Sequence, residues 1–326
     1  MRREIASTAR KLTVVYWYTG DQELAVAEAR RAVALDEAEL ASSPTDAQRV
    51  NVAVSHDQLA YSIGLAGDSV ESLKHMRQAE AILQPLATAA NPDAQDMLST
   101  VYGHIGDLLS SGKPVPGLVP DIPTAVTMYR RELAINQDLA KADPRNPTRE
   151  RNVMVGHVHV ADALRTIDPV QALAEYRLVL PIADKIAQAD PGDMSALSDQ
   201  ALMYERVGAL LVETQKLDEG VRMLRRSLEL LQPVAARDDT SLLTKARLAS
   251  AEKGLGLAFM AYGRDRQLTR EARVGYYRDA TRSLERARTL WREISEKSPV
   301  FTDEDNLVLT LKPHIEAIER ELAALQ

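Results

Sequence analysis

A small or acidic residue followed by proline recurs at a near-constant interval. It appears as Ser43-Pro44, Asn91-Pro92, Asp143-Pro144, Asp190-Pro191 and Ser298-Pro299, with a proline-free version at Asp238-Asp239. The first four spacings are 48, 52, 47 and 48 residues, and the last is 60. Proline cannot continue a helix and disfavours the α conformation in the residue before it. Each marker therefore closes a long helix, and its proline suits the first turn of the next. A feature repeating at this period predicts a stack of similar units rather than one irregular core.

Midway between these markers lies a second one, at Gly20-Asp21, Gly67-Asp68, Ile167-Asp168 and Gln215-Lys216. Glycine past a helix end takes the left-handed cap, and aspartate caps the helix that follows. Each unit then reads as helix A, a tight turn, helix B and a proline-marked turn. Apolar residues recur at helical spacing within the units. Val207-Gly208 and Leu211 precede Gly220, Leu224 and Ser227, while Leu59-Ala60 and Ile63 precede Ser72, Met76 and Ala79. Near the start, Leu12, Tyr16, Ala25, Ala29 and Ala32 repeat the spacing. So do Ile105-Gly106, Leu109, Ala125 and Tyr129, and Leu255-Gly256, Phe259, Ala280, Leu284 and Ala287. Small residues at matching places predict close approach of helices A and B.

The pattern of an apolar-small pair and a large residue in helix A, then a small, a large and a small residue in helix B, then proline, resembles the tetratricopeptide repeat. The resemblance runs along essentially the whole chain. It implies an all-α, right-handed α-solenoid of about six hairpins over 1–326. The approximate units are 1–44, 45–91, 92–143, 144–190, 191–238 and 239–299, with a capping helix over 300–326. The unit is longer than the family's usual one, and the family's helix-A tryptophan is missing. Ends such as Lys141-Ala142-Asp143-Pro144 and Gln188-Ala189-Asp190-Pro191 are similar to the long-unit arrays that follow bacterial serine/threonine kinase domains. No kinase motif stands in the chain itself.

Composition fits and narrows the field. Only 15 glycines, 15 prolines and 4% aromatic residues suit packed helices better than a sandwich or barrel, which needs β-branched and aromatic strands. A net charge of −7 with no long basic run argues against nucleic-acid binding. The lack of cysteine removes thiolate sites and disulfides and fits a reducing, cytoplasmic compartment. No apolar run reaches the length of a membrane span, and no signal core follows Met1.

Two segments break the period. Residues 112–123 hold four prolines and predict a loop between helices A and B. The loop either lies on the surface or folds over the groove through Val115, Leu118 and Val119. Residues 263–275 contain Arg264, Arg266, Arg270 and Arg273 and read as helix extensions plus a loop. Leu307, Leu311, Ile315, Ile318, Leu322 and Leu325 make one apolar stripe, as a terminal cap requires. The first helix begins almost at Met1 with no equivalent cap, which suggests a preceding domain in a longer parent chain. Tyr16, Trp17 and Tyr18 cannot all face the core, so one of them is expected at the surface.

Helix A lines the concave face in such arrays. Aligning the units on the apolar-small pair places Arg10, Lys11, Gln58, Tyr61, His104, Asp107, His159, Asp162, Glu205, Arg206 and Lys253 toward the groove. Asp57 falls in the same register. The mixed charge of this set suits recognition of a peptide or partner protein through charge-assisted contacts. His104-x-x-Asp107 and His159-x-x-Asp162 occupy equivalent positions, and residues three apart share a helix face. A zinc or manganese site is one reading. The preferred reading is an ordinary intrahelical pair, with no metal and no cofactor. Gly-x-Ser-x-Gly, phosphate-loop and His-Glu-x-x-His motifs are absent, so no catalysis is expected. The sequence therefore predicts a non-catalytic scaffold for a protein or peptide. The alternative is a sensory or regulatory module that binds a small peptide or metabolite and governs a fused or associated kinase or transcription-regulator domain.

Overall fold

The computed structural model describes residues 2–110, 118–297 and 303–325, the last stretch with side chains from Val308 onward. Its contacts divide the chain into two compact units, Met1–Ile167 and Asp168–Gln326. The first unit contains α1 (Arg2–Thr19), α2 (Gln22–Ser42), α3 (Asp46–Leu65), α4 (Ser69–Leu83), α5 (Pro92–Ser110), α6 (Ile122–Ala142) and α7 (Pro147–Leu164). The second contains α8 (Pro169–Ala189), α9 (Met194–Glu213), α10 (Leu217–Arg237), α11 (Leu242–Arg264), α12 (Arg270–Lys297) and α13 (Asp303–Ala324). Among the described residues no helix is long and apolar enough to cross a membrane.

Both kinds of turn follow from local chemistry. Gly20 and Gly67 end their helices at φ +80° and +98°, where an L side chain would be strained. Gln215 holds the same left-handed place at φ 60° without being glycine. Asp68 then accepts from the amide of Glu71, and Asp168 from that of Gln171, satisfying amides that a helix start leaves unpaired. Of the repeat-marking prolines, Pro92 opens its helix, as expected. Pro44, Pro144 and Pro191 lie in the linkers instead, and Thr45, Asn146 and Asp193 cap the following helices. Ser298-Pro299 lies outside the described residues.

In the first unit α1 pairs with α2, α3 with α4 and α5 with α6. The first helices α1, α3, α5 and α7 also touch one another in series, forming an inner row. In the second unit α9 pairs with α10 and α11 with α12, and α9, α11 and α13 form the corresponding row.

The small residues of the apolar pairs do what their spacing predicts. A Cβ on Gly208 would lie 2.7 Å from Leu224 Cγ, and one on Gly256 would lie 2.6 Å from Leu284 Cγ. On Gly106 it would lie 2.4 Å from the Tyr129 ring. Leu224 and Leu284 are fully buried; each such side chain contributes about 2 kcal/mol by leaving water. Leu12, Tyr16 and Phe259, expected in the core, are only partly covered.

The period-breaking segments also have physical outcomes. Helix α5 stops at Ser110 and α6 starts at Ile122, so the proline-rich stretch separates the two helices of one hairpin. Val119 is 83% exposed and Leu118 is half-buried; Val115 lies outside the described residues. The arginine-rich stretch is mostly helix, with only residues 265–269 between α11 and α12. Along α13, Leu311, Ile315 and Ile318 are buried in a cluster with Tyr277, Leu284 and Trp291, and Leu322 and Leu325 pack against it. The side chain of Leu307 lies outside the described residues.

Candidate functional site

The residues aligned by the repeat fall on the inner rows, eight in the first unit and three in the second. In the first unit Tyr61 of α3 and His104 and Asp107 of α5 line one cleft of about 340 Å³, together with Leu65, Met76 and Leu108. Tyr61 is 40% and Leu65 45% exposed. The Trp17 ring meets Tyr61 edge-on at 4.8 Å between centroids, and Tyr61 lies 5.8 Å from His104. Trp17 Nε1 donates to Ser62 Oγ at 2.7 Å. Of the three adjacent aromatics, Tyr18 is the one left in solvent.

Hydrogen bonds hold the polar members in place. His104 Nδ1 is 2.8 Å from Asp57 Oδ1, and Asp57 is buried. The Tyr129 hydroxyl donates to Asp107 Oδ1 at 2.7 Å and lies 3.0 Å from Ser110 Oγ. His159 Nδ1 is 2.9 Å from Glu132 Oε2, with its ring 5.0 Å from that of Tyr129. A Cβ on Gly103 would stand 3.2 Å from Glu132 Oε2, so the glycine leaves room for that buried carboxylate. These contacts hold the polar side chains of the cleft in fixed positions.

The histidines also pair beyond their own helices. His104 reaches back to the preceding first helix, and His159 reaches the second helix of the preceding hairpin. Burial works against charge on His104. The hydrogen bond and charge of Asp57, aided by Asp107 and Glu132, outweigh it and raise the pKa above the ordinary histidine value. His159 behaves alike: burial is overcome by the bond to Glu132 and its charge, with Asp107 and Asp162 assisting. Burial, followed by the charge of Asp107, pushes the Tyr129 hydroxyl well above its usual range, so it stays protonated and donates. Among the described residues no group of three or more His, Asp or Glu side chains is arranged to hold a metal ion.

The remaining aligned residues take varied positions. Arg10 is 14% exposed and pairs with Asp36, which also accepts from Ser55 Oγ at 2.6 Å. Lys11 is exposed and Gln58 half-buried. Asp162 is exposed near the end of α7. In the second unit Glu205 and Arg206 on α9 and Lys253 on α11 are half-buried. Sequence alignment of the repeats missed Glu132 and Tyr129 as part of the site. Both lie on a second helix, outside the columns that were aligned. It also missed the ion pairs Arg149–Asp96 and Arg247–Asp199, each linking a first helix to the first helix before it.

No known family profile matches the chain, and no curated protein sequence matches it. Solved structures do. BtubC (BKLC) from P. vanneervenii matches at a TM-score of 0.57 and 19% identity, over 82% of this chain and 90% of its own. The apo form of RapI matches at 0.57 and 11%, over 98% and 99%. A signal transduction ATPase with numerous domains from Pyrococcus horikoshii, which has a tetratricopeptide repeat sensor, matches at 0.57 and 10%. That match covers all of this chain and 46% of the ATPase. At such identities the likeness defines the fold alone: the chain is an all-α, tetratricopeptide-like repeat protein of the α-solenoid class.

Proposed function

We propose that the protein is a non-catalytic interaction module whose first unit binds an extended peptide or partner segment along its inner row. The observation that carries this reading is the cleft of Tyr61, Leu65, His104 and Asp107. It combines an exposed aromatic and aliphatic wall with a carboxylate and an imidazole already fixed by hydrogen bonds. Such a surface offers apolar contact for affinity and fixed polar groups for orientation. Lys11 and Asp162 lie further along the same row, and in this reading Glu205, Arg206 and Lys253 of the second unit add contacts of their own. Partner proteins captured from a lysate and identified by mass spectrometry supply the ligand. Their affinities are then compared between wild type and the Tyr61→Ala/Asp107→Asn variant. A loss of tenfold or more is expected; unchanged affinity for every partner would refute the assignment of the cleft.

A second reading is a regulatory role. It is supported by the match of the whole chain to a protein whose tetratricopeptide region is described as a sensor. In that reading the same cleft takes a small peptide or metabolite and governs a catalytic or DNA-binding domain, a kinase among them, on the same or an associated chain. A cytoplasmic setting, with no nucleic acid as ligand, fits the cysteine-free, acidic sequence. An upstream in-frame kinase or helix-turn-helix coding sequence favours regulation; a stop codon there favours a free-standing adaptor.

A further inference from the structure

Charge selects what can enter the cleft of the first unit. Three carboxylates and two imidazoles make up the hydrogen-bonded set around it: Asp57, Asp107 and Glu132, with His104 and His159. The charges of Asp107 and Glu132 act on both rings, so the five groups behave as one electrostatic unit. Even with both rings protonated, the set keeps one negative charge in excess; with neutral rings it keeps three. Among the described residues no lysine or arginine lines the cleft. Asp107 is the carboxylate of this set that reaches solvent. Its Oδ1 accepts from the Tyr129 hydroxyl, while its Oδ2 has no hydrogen bond among the described residues.

The walls set the shape of the occupant. Tyr61, Leu65, Met76 and Leu108 line the cleft beside Asp107, and Tyr61 and Leu65 are exposed. Lysine and arginine lay their apolar stems along such a wall and keep the charged head at a polar edge. An aromatic face near the head attracts it further. A bare metal ion needs several ligands at once, and one free carboxylate oxygen does not supply them. An acidic side chain meets like charge, which excludes it. We propose, on the reading that the cleft is where the partner binds, that it is the specificity pocket for one basic side chain of the bound segment, lysine or arginine. The stem lies against Tyr61 and Leu65, and the cationic head donates a hydrogen bond to Asp107. Asp57 and Glu132 supply the negative field behind it.

The test uses the full chain and a random decapeptide library displayed on phage, selected in parallel on wild type and on Tyr61→Ala. Peptides recovered with wild type and lost with Tyr61→Ala are expected to share lysine or arginine at one position. A synthetic peptide of that sequence should bind at least tenfold more weakly when the basic residue is replaced by norleucine, which keeps the stem and drops the charge. Exchange of lysine and arginine there should cost less. Asp107→Asn should weaken the basic peptide at least tenfold and leave the norleucine peptide unchanged, a selectivity that simple misfolding would not produce. On the wild-type chain the basic peptide should shift the His104 ring signals in NMR, which places it in the cleft without any variant. Tyr61-dependent peptides that share no basic residue, or share an acidic one, would overturn the charge assignment and leave the cleft as a binding site. Recovery of no Tyr61-dependent peptide would overturn both. Equal affinity of the basic peptide for a folded Asp107→Asn, or shifts that spare His104, would also overturn the proposal.

Discussion

Replacing Gly208 by alanine tests whether close helix approach or helix propensity dominates this fold. Alanine is better than glycine inside a helix by about 1 kcal/mol, so propensity alone predicts stabilisation. At position 208, however, the new methyl would stand 2.7 Å from Leu224 Cγ, 3.0 Å from Leu224 N and 3.1 Å from Gly220 O. Two of these atoms are backbone, so a side-chain rotation cannot relieve the clash and α9 must move from α10. Overpacking of this kind costs about 1–3 kcal/mol. Contact with backbone places Gly208 toward the upper end, for a net loss of about 1–2 kcal/mol. Gly275 supplies the control. It lies inside α12 with nothing within 4 Å of its added Cβ, so Gly275→Ala should stabilise by about 1 kcal/mol. Both positions are in the unit Asp168–Gln326. The buried Trp291 reports on that unit alone once Trp17, the other tryptophan, is replaced by phenylalanine. Urea denaturation followed by Trp291 fluorescence should move the midpoint in opposite directions for the two variants, with a common slope. If Gly208→Ala is as stable as wild type or more so, the packing argument fails.

Three further outcomes follow from the geometry. Gln215→Gly should raise stability by a few tenths to about 1 kcal/mol, because a left-handed L-residue is strained by about 1–2 kcal/mol and glycine's looser unfolded chain takes part of that back; an unchanged or lower Tm would contradict it. Asp68→Ala should cost about 1 kcal/mol through loss of its cap to the Glu71 amide, read in the urea transition of the first unit. His104 and His159 both have raised folded-state pKa values. Their ionic contribution is therefore fully present below the unfolded value of about 6.5 and is lost as pH rises through the folded pKa. In an NMR titration Asp57→Asn should lower the His104 midpoint while leaving that of His159 raised; an unmoved His104 would refute the assignment.

Local chemistry explains which parts of the fold were legible in the sequence. Gly20, Gly67 and the capping aspartates act within a few residues, so their turns can be read from the chain directly. The Gly208–Leu224 and Gly256–Leu284 contacts follow from spacing, because each small residue must meet the large one on the paired helix. Pro181 and Pro233 show where this reading stops. Both lie inside helices, α8 and α10, although proline removes a helical hydrogen bond. Packing along the rest of each helix sustains it, and a short window shows the missing bond but not that support. The site was legible as a row but not as a set of partners. His104 and Asp57 are 47 residues apart, and His159 and Glu132 are 27 apart, on different helices. Only the folded hairpins bring them together, whereas i,i+3 spacing shows Asp107 and Asp162, whose charges also act on the two rings.

The pairs joining successive first helices have a consequence for how such a chain can be rearranged. His104 meets Asp57 at a sequence distance of 47, Arg149 meets Asp96 at 53 and Arg247 meets Asp199 at 48, each close to one hairpin's length. The chemistry at these junctions is not uniform: an imidazole on a buried carboxylate at one, a two-pronged guanidinium on a more exposed carboxylate at another. The imidazole junction therefore differs in kind from the two that share an arginine–aspartate pair. A hairpin cut out within the first unit would set unlike partners against each other, leaving Asp57, buried, without its matched base. Gly156 presses on Leu133 and Gly254 on Leu224 of the preceding hairpin, so the apolar and the polar sides of a junction both limit which hairpins can be exchanged.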